Sequence, residues 1–366
     1  MNTLNLSTPS PAGLRRPGSL AAVLALALTV LAPSQGQLRP LADALLLLAA
    51  LAALRPAVGP GRSALSLGLI AAAAVALFLA LPTPLQGGDG LRLLAILALA
   101  QCSVRQLAEQ PDSRWSGPAT AGLFGLWLLY VWELGVTVFE VPRVLLPAPS
   151  LIVQALWDNT ATLGGDFVQT VLKSVLIGYL LGNGLGVLTG IAIDRAPFLQ
   201  RGLQPVAALT STVPLVGVAP IAVMWFGFDW PSKAAVIVLM TFFPALINTL
   251  AGLDAAGKLE RELMHSYAAG YRRTLLWLRL PTALPHIFGA LKVNATLALI
   301  GAIVAEFFGS PTAGLGFRIS TEAARMNMPL VWAAIVLASL TGSVLYALLS
   351  ALERRVNFWH PAFRSR

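Results

Sequence analysis

The sequence predicts an all-α polytopic membrane protein with about ten membrane-spanning helices. Hydrophobic residues make up 57% of the 366 residues and charged residues only 11%, whereas a soluble domain carries about 25% charged residues. The mean hydropathy is +0.75, and several apolar runs approach or exceed the roughly 18 residues that mark a membrane span. The net charge of +9 is therefore assigned to cytoplasmic loops and does not predict nucleic-acid binding.

Four weaker apolar runs occupy the first third of the chain. They lie at roughly Ser19–Leu31, Leu41–Leu54, Ala64–Leu81 and Leu91–Val104. Residues 1–110 are therefore predicted to form an extra N-terminal transmembrane bundle, and the polar residues 111–118 a linker. The bundle is rich in alanine and leucine, and we expect no buried charge in it, which favours a packing role over transport.

Six stronger runs follow in residues 119–366. They lie at roughly Ala119–Phe139, Thr170–Ile193, Val206–Phe228, Lys233–Leu253, Ile287–Phe308 and Leu330–Leu352. They are predicted to form the core of the protein.

The first apolar run has two interpretations. Arg15 and Arg16 precede Leu20–Ala32, and Pro33 and Ser34 follow. This pattern fits a cleaved secretory signal peptide within residues 1–34. An anchored first helix explains the same residues and is favoured, because more apolar spans follow at once.

Basic residues give the orientation of the spans. When ten spans are threaded alternately, most arginines fall on one side, including Arg15, Arg62, Arg201, Arg272 and Arg355. The opposite side receives fewer. Because basic loops stay in the cytoplasm, both termini are predicted to be cytoplasmic.

A charged, partly amphipathic segment separates two of the core runs. Between about 255 and 281 it is predicted to form a cytoplasmic surface helix with a docking face for a soluble partner. The alternative is a solvated loop held against lipid headgroups by arginines. The apolar residues at near-helical spacing are Leu259, Leu263, Tyr267 and Leu275, and the arginines beside them are Arg272, Arg273 and Arg279.

The second core run carries a glycine every fourth residue. A strip of small residues lets two helix backbones approach closely in lipid. The strip therefore predicts helix packing, with a contact that lines a pathway as the alternative. Its members are Gly178, Gly182, Gly186 and Gly190.

Four further residues are candidates for a translocation path. Pro214 and Pro220 would break the third core helix, and broken helices often line substrate sites in transporters. Asn294 and Glu306 are polar groups in the fifth core run, where such groups are costly and often functional. The alternatives are an interhelical hydrogen bond for Asn294 and contact with the membrane interface for Glu306.

Motifs for catalysis or cofactor binding are not found. Cys102 is the only cysteine, and His265, His286 and His360 have no metal-ligand spacing. The chain lacks a P-loop, so any ATP and magnesium would be bound by another subunit. No catalytic residue, metal ligand or bound cofactor is predicted.

An ordered series of motifs from about Ala119 to Arg366 resembles the permease subunit of a bacterial ABC importer of the nitrate, sulfonate and taurine type. The matching stretches are LPAPSLIVQAL (Leu146–Leu156), VPLVGVAPIAVMWFGF (Val213–Phe228), FFPALINTLAGL (Phe242–Leu253), LRLPTALPHIFGALKV (Leu278–Val293), GAIVAEFFGS (Gly301–Ser310) and GLGF (Gly314–Phe317). The resemblance implies a six-helix permease core preceded by about four additional helices.

The family's cytoplasmic signature is Glu-Ala-Ala, then a glycine, then a Leu-Pro pair at fixed spacing. Counting back from Leu280 and Pro281 places its glutamate at Glu262 and its glycine at Ala268. Leu263 and Met264 replace the two alanines, and Gly270 is the alternative glycine. The resemblance implies that this segment, including Arg272, is the coupling helix that docks on an ATPase.

The resemblance further implies a multi-pass protein of the bacterial inner membrane that works as a homodimer. Its implied partners are an ATP-binding subunit, a periplasmic substrate-binding protein and the lipid bilayer. A sulfonate, taurine or nitrate is the implied solute, with a pyrimidine precursor or riboflavin-like heterocycle as the alternative. An integral-membrane enzyme and a membrane scaffold are the alternatives of another class.

Overall fold

The computed structural model describes residues 22, 25, 39–54, 60–80, 89–108, 116–196, 198–199, 202, 215–309 and 312–359. These residues are helical or lie in turns between helices, and none of them is in a strand. The chain divides into two compact units, Met1–Ser150 and Leu151–Arg366. The expected all-α fold is confirmed, and six of the described helices are long and apolar enough to cross a membrane.

Among its described residues, the first unit contains four long helices. They are α1 (Arg39–Leu54), α2 (Pro60–Ala80), α3 (Asp89–Ala108) and α4 (Ser116–Val138). Alanines and larger aliphatic side chains such as Leu46 and Leu99 fill the space between them. Because α4 begins at Ser116, the last residues of the predicted linker are already helical.

Hydrogen bonds join α4 to the helices before it. The Tyr130 hydroxyl donates to the Ala74 carbonyl over 2.8 Å, and the Trp127 indole donates to the Ser103 hydroxyl over 2.9 Å. The helix expected to begin the core therefore packs within the first unit.

The expectation of no buried charge in the first unit is wrong. Arg92 is buried, and it donates to both carboxylate oxygens of Asp43 at 2.7 and 2.9 Å and to Asp89 at 3.0 Å. An arginine tolerates such burial when carboxylates satisfy its fork of donors. The Asp43 partner lies 49 residues away in sequence, so the apolar pattern alone did not reveal the pair.

Ten further α-helices lie in the described residues from 149 onward. They are α5 (Pro149–Asp158), α6 (Thr160–Phe167), α7 (Leu176–Ile193), α8 (Leu215–Phe226), α9 (Trp230–Asp254), α10 (Lys258–Ser266), α11 (Tyr271–Thr274), α12 (Leu280–Gly309), α13 (Leu315–Ala324) and α14 (Met328–Val356). Two π-helical stretches, Val168–Val175 and Leu275–Arg279, make α6–α7 and α11–α12 continuous.

The centre of the second unit is the packing of α7, α9 and α12. The glycine strip of α7 lies against α9, where a Cβ on Gly178 would meet the Ile237 Cβ at 2.8 Å and one on Gly190 would meet the Thr249 Cβ at 2.9 Å. Gly182 and Gly186 face Val238 and Ala245 of the same helix. The absence of side chains on this face allows the two helix backbones to pack closely.

Candidate functional site

Helix α10 and the residue after it carry a stripe of exposed apolar side chains. Leu259, Leu263 and Tyr267 are 79%, 57% and 78% exposed, and their spacing of four residues places them on one helical face. Glu262 is exposed beside this stripe. A stripe of large apolar side chains on an otherwise polar helix is typical of a surface that another protein covers.

The predicted single helix over 255–281 is wrong, because a turn divides it after Ser266. Ala268 has a φ of +49°, and the amides of Ala268 and Ala269 donate back to the carbonyls of His265 and Met264 at 2.9 and 3.0 Å. This left-handed turn is the usual end of a helix and favours glycine. Gly270 has an ordinary φ of −67°, so Ala268 stands where the signature's glycine is sterically preferred.

The Leu-Pro pair of the signature lies inside a long helix and not in a loop. Pro281 has no N–H for the carbonyl four residues before it, and the π-helical turn Leu275–Arg279 immediately precedes it. There the Leu280 amide donates to the Leu275 carbonyl, five residues back. The widened turn thus accommodates proline, and the helix continues from Tyr271 to Gly309.

The ends of α7 and α9 meet this segment in a group of ionic and polar contacts. We call it the Asp194 cluster, and it comprises Asp194, Arg195, Asp254, Arg261, Tyr271 and Arg279. Arg279 donates to both Asp194 oxygens at 2.6 and 2.8 Å and to the Leu253 carbonyl at 3.0 Å. The Tyr271 hydroxyl donates to the same Asp194 carboxylate over 2.7 Å.

A second group lies at the opposite ends of the same helices. We call it the Glu306 cluster, and it comprises Asp166, Thr170, Lys233, Glu306, Gly314, Gly316 and Arg318. Glu306 is buried and accepts from the Thr170 hydroxyl and the Gly316 amide, both at 2.7 Å. Asp166 accepts from the Gly314 amide at 2.8 Å and from Arg318 at 2.7 Å.

Lys233, near the start of α9, is the cationic member of the Glu306 cluster that contacts the end of α12. Its ammonium donates to the carbonyls of Phe228 and Asp229 and to that of Gly309 at the end of α12. Gly314 has a φ of +138°, and a Cβ there would also meet the Glu306 carboxyl at 2.6 Å. The first glycine of the GLGF motif is therefore required, because both the positive φ and the close approach of the Glu306 carboxyl disfavour a side chain at this position.

The candidate path residues differ in exposure. Pro220 is exposed, Asn294 and Glu306 are buried, and Pro214 lies outside the described residues. Asn294 donates to the Asn183 side chain at 2.6 Å and to the Thr241 carbonyl at 2.8 Å, which ties α12 to α7 and α9. Its own carbonyl oxygen has no hydrogen-bond partner among the described residues.

Asp229 lies just before α9 and caps it. Its carboxylate accepts from the Trp230 amide at 2.8 Å and from the Gln169 side chain at 2.6 Å. These hydrogen bonds, with smaller contributions from Lys173 and Lys233, hold the pKa of Asp229 below its usual range.

The two clusters contain functional candidates that sequence reasoning missed. Asp194 ends one apolar run and Arg279 precedes another, 85 residues later. The only available signal was that both are charged groups at the same predicted end of core helices. Within the described part of the chain, no group of three His, Cys, Asp or Glu side chains could hold a metal ion.

Comparison with known proteins gives a consistent result. Residues 182–358 match the family model described as binding-protein-dependent transport system inner membrane component. A formylaminopyrimidine transport permease protein from Halalkalibacterium halodurans is 33% identical over 65% of this chain and 94% of its own length. A riboflavin transport system permease protein from Chloroflexus aurantiacus is 33% identical over 64% of this chain and 88% of its own.

More distant relatives include permeases for other solutes. A putative aliphatic sulfonates transport permease protein from Bacillus subtilis is 27% identical over 73% of this chain and 96% of its own length. The family match begins at residue 182, after the four helices of the first unit.

Proposed function

The chain belongs to the family of binding-protein-dependent transport system inner membrane components, and we propose that its α10 segment docks an ATP-hydrolysing subunit. The protein is a multi-pass membrane permease subunit of an ABC importer. Family membership favours a transport function for this chain over that of a membrane enzyme or a scaffold.

The exposed apolar stripe of α10 is the observation that carries the docking proposal. Three large apolar side chains face outward, two on the nine-residue helix α10 and one on the residue that follows it, and the segment after it is held to the ends of two spans by Arg279. In this proposal Leu263 fills an apolar groove of the partner and Glu262 and Arg272 lie at its polar rim. Ala268 and Gly270 shape the turn, and Leu280 and Pro281 join it to the spanning helix.

The remaining partners follow from the same proposal. Two copies of the permease enclose the path, two ATP-binding subunits carry ATP and magnesium, and a periplasmic binding protein delivers the solute. The protein lies in the bacterial inner membrane with both termini in the cytoplasm, as the placement of arginines favours. Catalysis and cofactor binding belong to the partner subunits.

Alternating access would require the helices of the second unit to rearrange. The exposed Pro220 would line the path directly, and we retain Pro214 as a prediction. Asn294 and Glu306 would reach the path only in a state in which α7 and α12 separate, because both are buried among these helices. Nucleotide and loaded binding protein must favour different states for such a cycle to be driven.

The proposed solute is a small molecule of the sulfonate, taurine or nitrate class. A heterocycle such as a pyrimidine precursor or riboflavin is the second candidate. Support for the second candidate comes from sequence identity. The chain is 33% identical to permeases named for formylaminopyrimidine and riboflavin, and 26–28% identical to permeases named for sulfonates, taurine and nitrate.

Co-purification from the native cell tests the docking proposal. The tagged chain should bring down an ATP-hydrolysing subunit, and hydrolysis in lipid should rise when loaded binding protein is added. A well-folded chain that captures no such subunit would contradict the proposal. Uptake of taurine and of riboflavin by the same vesicles separates the two solute classes.

Substitutions in the segment sharpen this test. Glu262→Ala and Ala268→Glu should lower partner capture and uptake while membrane insertion stays normal, because both residues are exposed on the docking side. Ala268→Gly is the matched control, since glycine fits the positive φ and should leave capture intact. Normal uptake and normal stimulated hydrolysis in both Glu262→Ala and Ala268→Glu would count against the assignment.

A further inference from the structure

The Asp194 cluster joins the ends of α7 and α9 to the segment that connects α9 to α12. Asp194 is the residue after α7, and Leu253 and Asp254 end α9. Tyr271 begins α11, and Arg279 ends the π-helical turn before α12. The docking segment therefore reaches the ends of α7 and α9 through the side chains of Arg261, Tyr271 and Arg279.

The contacts of Asp194 are strong and directional. Arg279 binds both oxygens of its carboxylate, a bidentate geometry that fixes orientation as well as distance. The Asp194 side chain is 2% exposed and that of Arg279 is 12% exposed, so water screens this pair little. Tyr271 adds a third donor to the same carboxylate.

Further contacts surround this pair. The Arg195 guanidinium lies 3.7 Å from the centroid of the Tyr271 ring, a cation–π contact. Arg261 of α10 donates to the Asp254 carbonyl over 2.9 Å. The last carbonyls of α9 carry partial negative charge, and the carboxylates of Asp194 and Asp254 carry full negative charge. The arginines of the cluster balance this charge, because the C-terminus of a helix favours cations.

We infer that Asp194, Tyr271 and Arg279 are positioning residues that hold the docking segment in register with the ends of α7 and α9. The inference rests on the proposed docking of an ATP-hydrolysing subunit to α10. None of the three belongs to the exposed apolar stripe. They act by fixing the angle at which α10 and its stripe are presented to the partner.

Equilibrium binding of the co-purified ATP-hydrolysing subunit to the full chain in lipid nanodiscs tests this inference. Asp194→Asn keeps the side-chain shape and removes the charge, and Tyr271→Phe removes only the hydroxyl. We expect binding to weaken about tenfold for Asp194→Asn and about threefold for Tyr271→Phe, as for loss of hydrogen bonds to a charged group. At a saturating concentration of the subunit, the rate of ATP hydrolysis per complex should be the same for both variants as for the wild type.

Glu353→Gln provides the matched control. Glu353 accepts from Lys292 over 2.7 Å, and their side chains are 8% and 21% exposed. This second partly buried pair joins α12 to α14 and does not touch the docking segment. Glu353→Gln should therefore leave the affinity for the subunit unchanged, even where it lowers the melting temperature as much as Asp194→Asn does.

The outcomes distinguish the two proposals. If the wild-type chain binds no ATP-hydrolysing subunit, the docking proposal fails and this inference fails with it. If the wild type binds but the Asp194 and Tyr271 variants bind equally well, only the positioning role is overturned. The positioning role is also overturned if Glu353→Gln weakens binding of the subunit as much as Asp194→Asn does, or if ATP hydrolysis stays low at a saturating concentration of the subunit. Either result would indicate general destabilisation.

Discussion

The two ends of the α7, α9 and α12 packing hold their charges in different ways. At the Glu306 end, carboxylates accept from backbone amides, a hydroxyl and an arginine, and the Lys233 ammonium donates to three backbone carbonyls. At the Asp194 end, arginine and tyrosine side chains make most of the contacts, and Asp254 is exposed.

The difference indicates which end is built to stay fixed. Backbone amides cannot change rotamer, so the Glu306 cluster fixes the turn before α13 to the end of α12. Long side chains can re-form their contacts after a small shift of the segment that carries them. Under the docking proposal, the Asp194 end holds the docking segment in register, and the Glu306 end holds the opposite ends of the same helices together.

Glu306→Ala should have the largest effect on stability. It leaves the Thr170 hydroxyl and the Gly316 amide without their buried acceptor. We expect a loss of about 3 kcal/mol in the free energy of unfolding. A thermal melt of the detergent-purified protein measures it.

Asp254→Ala is the comparison at the other end. Its carboxylate pairs with Arg279 at 3.3 Å but is 63% exposed, so its loss should cost less than about 1 kcal/mol. Similar melting temperatures for Glu306→Ala and Asp254→Ala would contradict the proposed difference between the ends.

Gly178→Ala should have an intermediate effect on the packing between the two ends. The added methyl would lie 2.8 Å from the Ile237 Cβ and 2.9 Å from the Ala234 carbonyl oxygen, so α7 must move away from α9. Overpacking of this kind costs about 1–3 kcal/mol. The melting temperature should fall accordingly.

Gly184→Ala is the matched control on the same helix. An added Cβ at Gly184 meets no atom within 4 Å, and alanine is the better helix former. The melting temperature should be unchanged or slightly higher. Equal destabilisation by both substitutions would show that the effect belongs to α7 itself rather than to its contact with α9.

A pH dependence at Asp229 should be the smallest effect. Because hydrogen bonds lower its pKa in the folded state, ionised Asp229 stabilises the fold above its unfolded pKa of about 3.9. This stabilisation is lost as the pH falls through the lowered folded pKa. The difference in melting temperature between wild type and Asp229→Asn should therefore be constant from pH 7 to about pH 5 and shrink below about pH 4. A difference that does not change with pH would contradict the role of the charge.

Local features of the second unit could be predicted from the sequence. The apolar runs predicted the spans near Lys233–Leu253 and Leu330–Leu352, which the structure extends to Trp230–Asp254 and Met328–Val356. The four-residue period of Gly178 and its partners predicted a close helix contact, because a small-residue period is a property of a single helix.

Long-range contacts could not be predicted in this way. Glu306 was expected to line a path or reach the interface, yet its acceptor role depends on Thr170, 136 residues earlier. The predicted span at Ile287–Phe308 missed the start of its helix, which begins at Tyr271 and contains Pro281 and Pro285. The π-helical turn at Leu275–Arg279 allows the helix to pass through them.

The continuous helix from Tyr271 to Gly309 has a mechanical consequence. Its 39 residues at about 1.5 Å each give a rod of about 58 Å, nearly twice the roughly 30 Å of a bilayer's hydrocarbon. A tilt of about 10° about one end would carry the other end through about 10 Å, by the geometry of a rod of this length. If a subunit docks on α10 as proposed, this helix would carry a shift at its Tyr271 end to its far end, with the π-helical turn and the prolines lying near the docking segment.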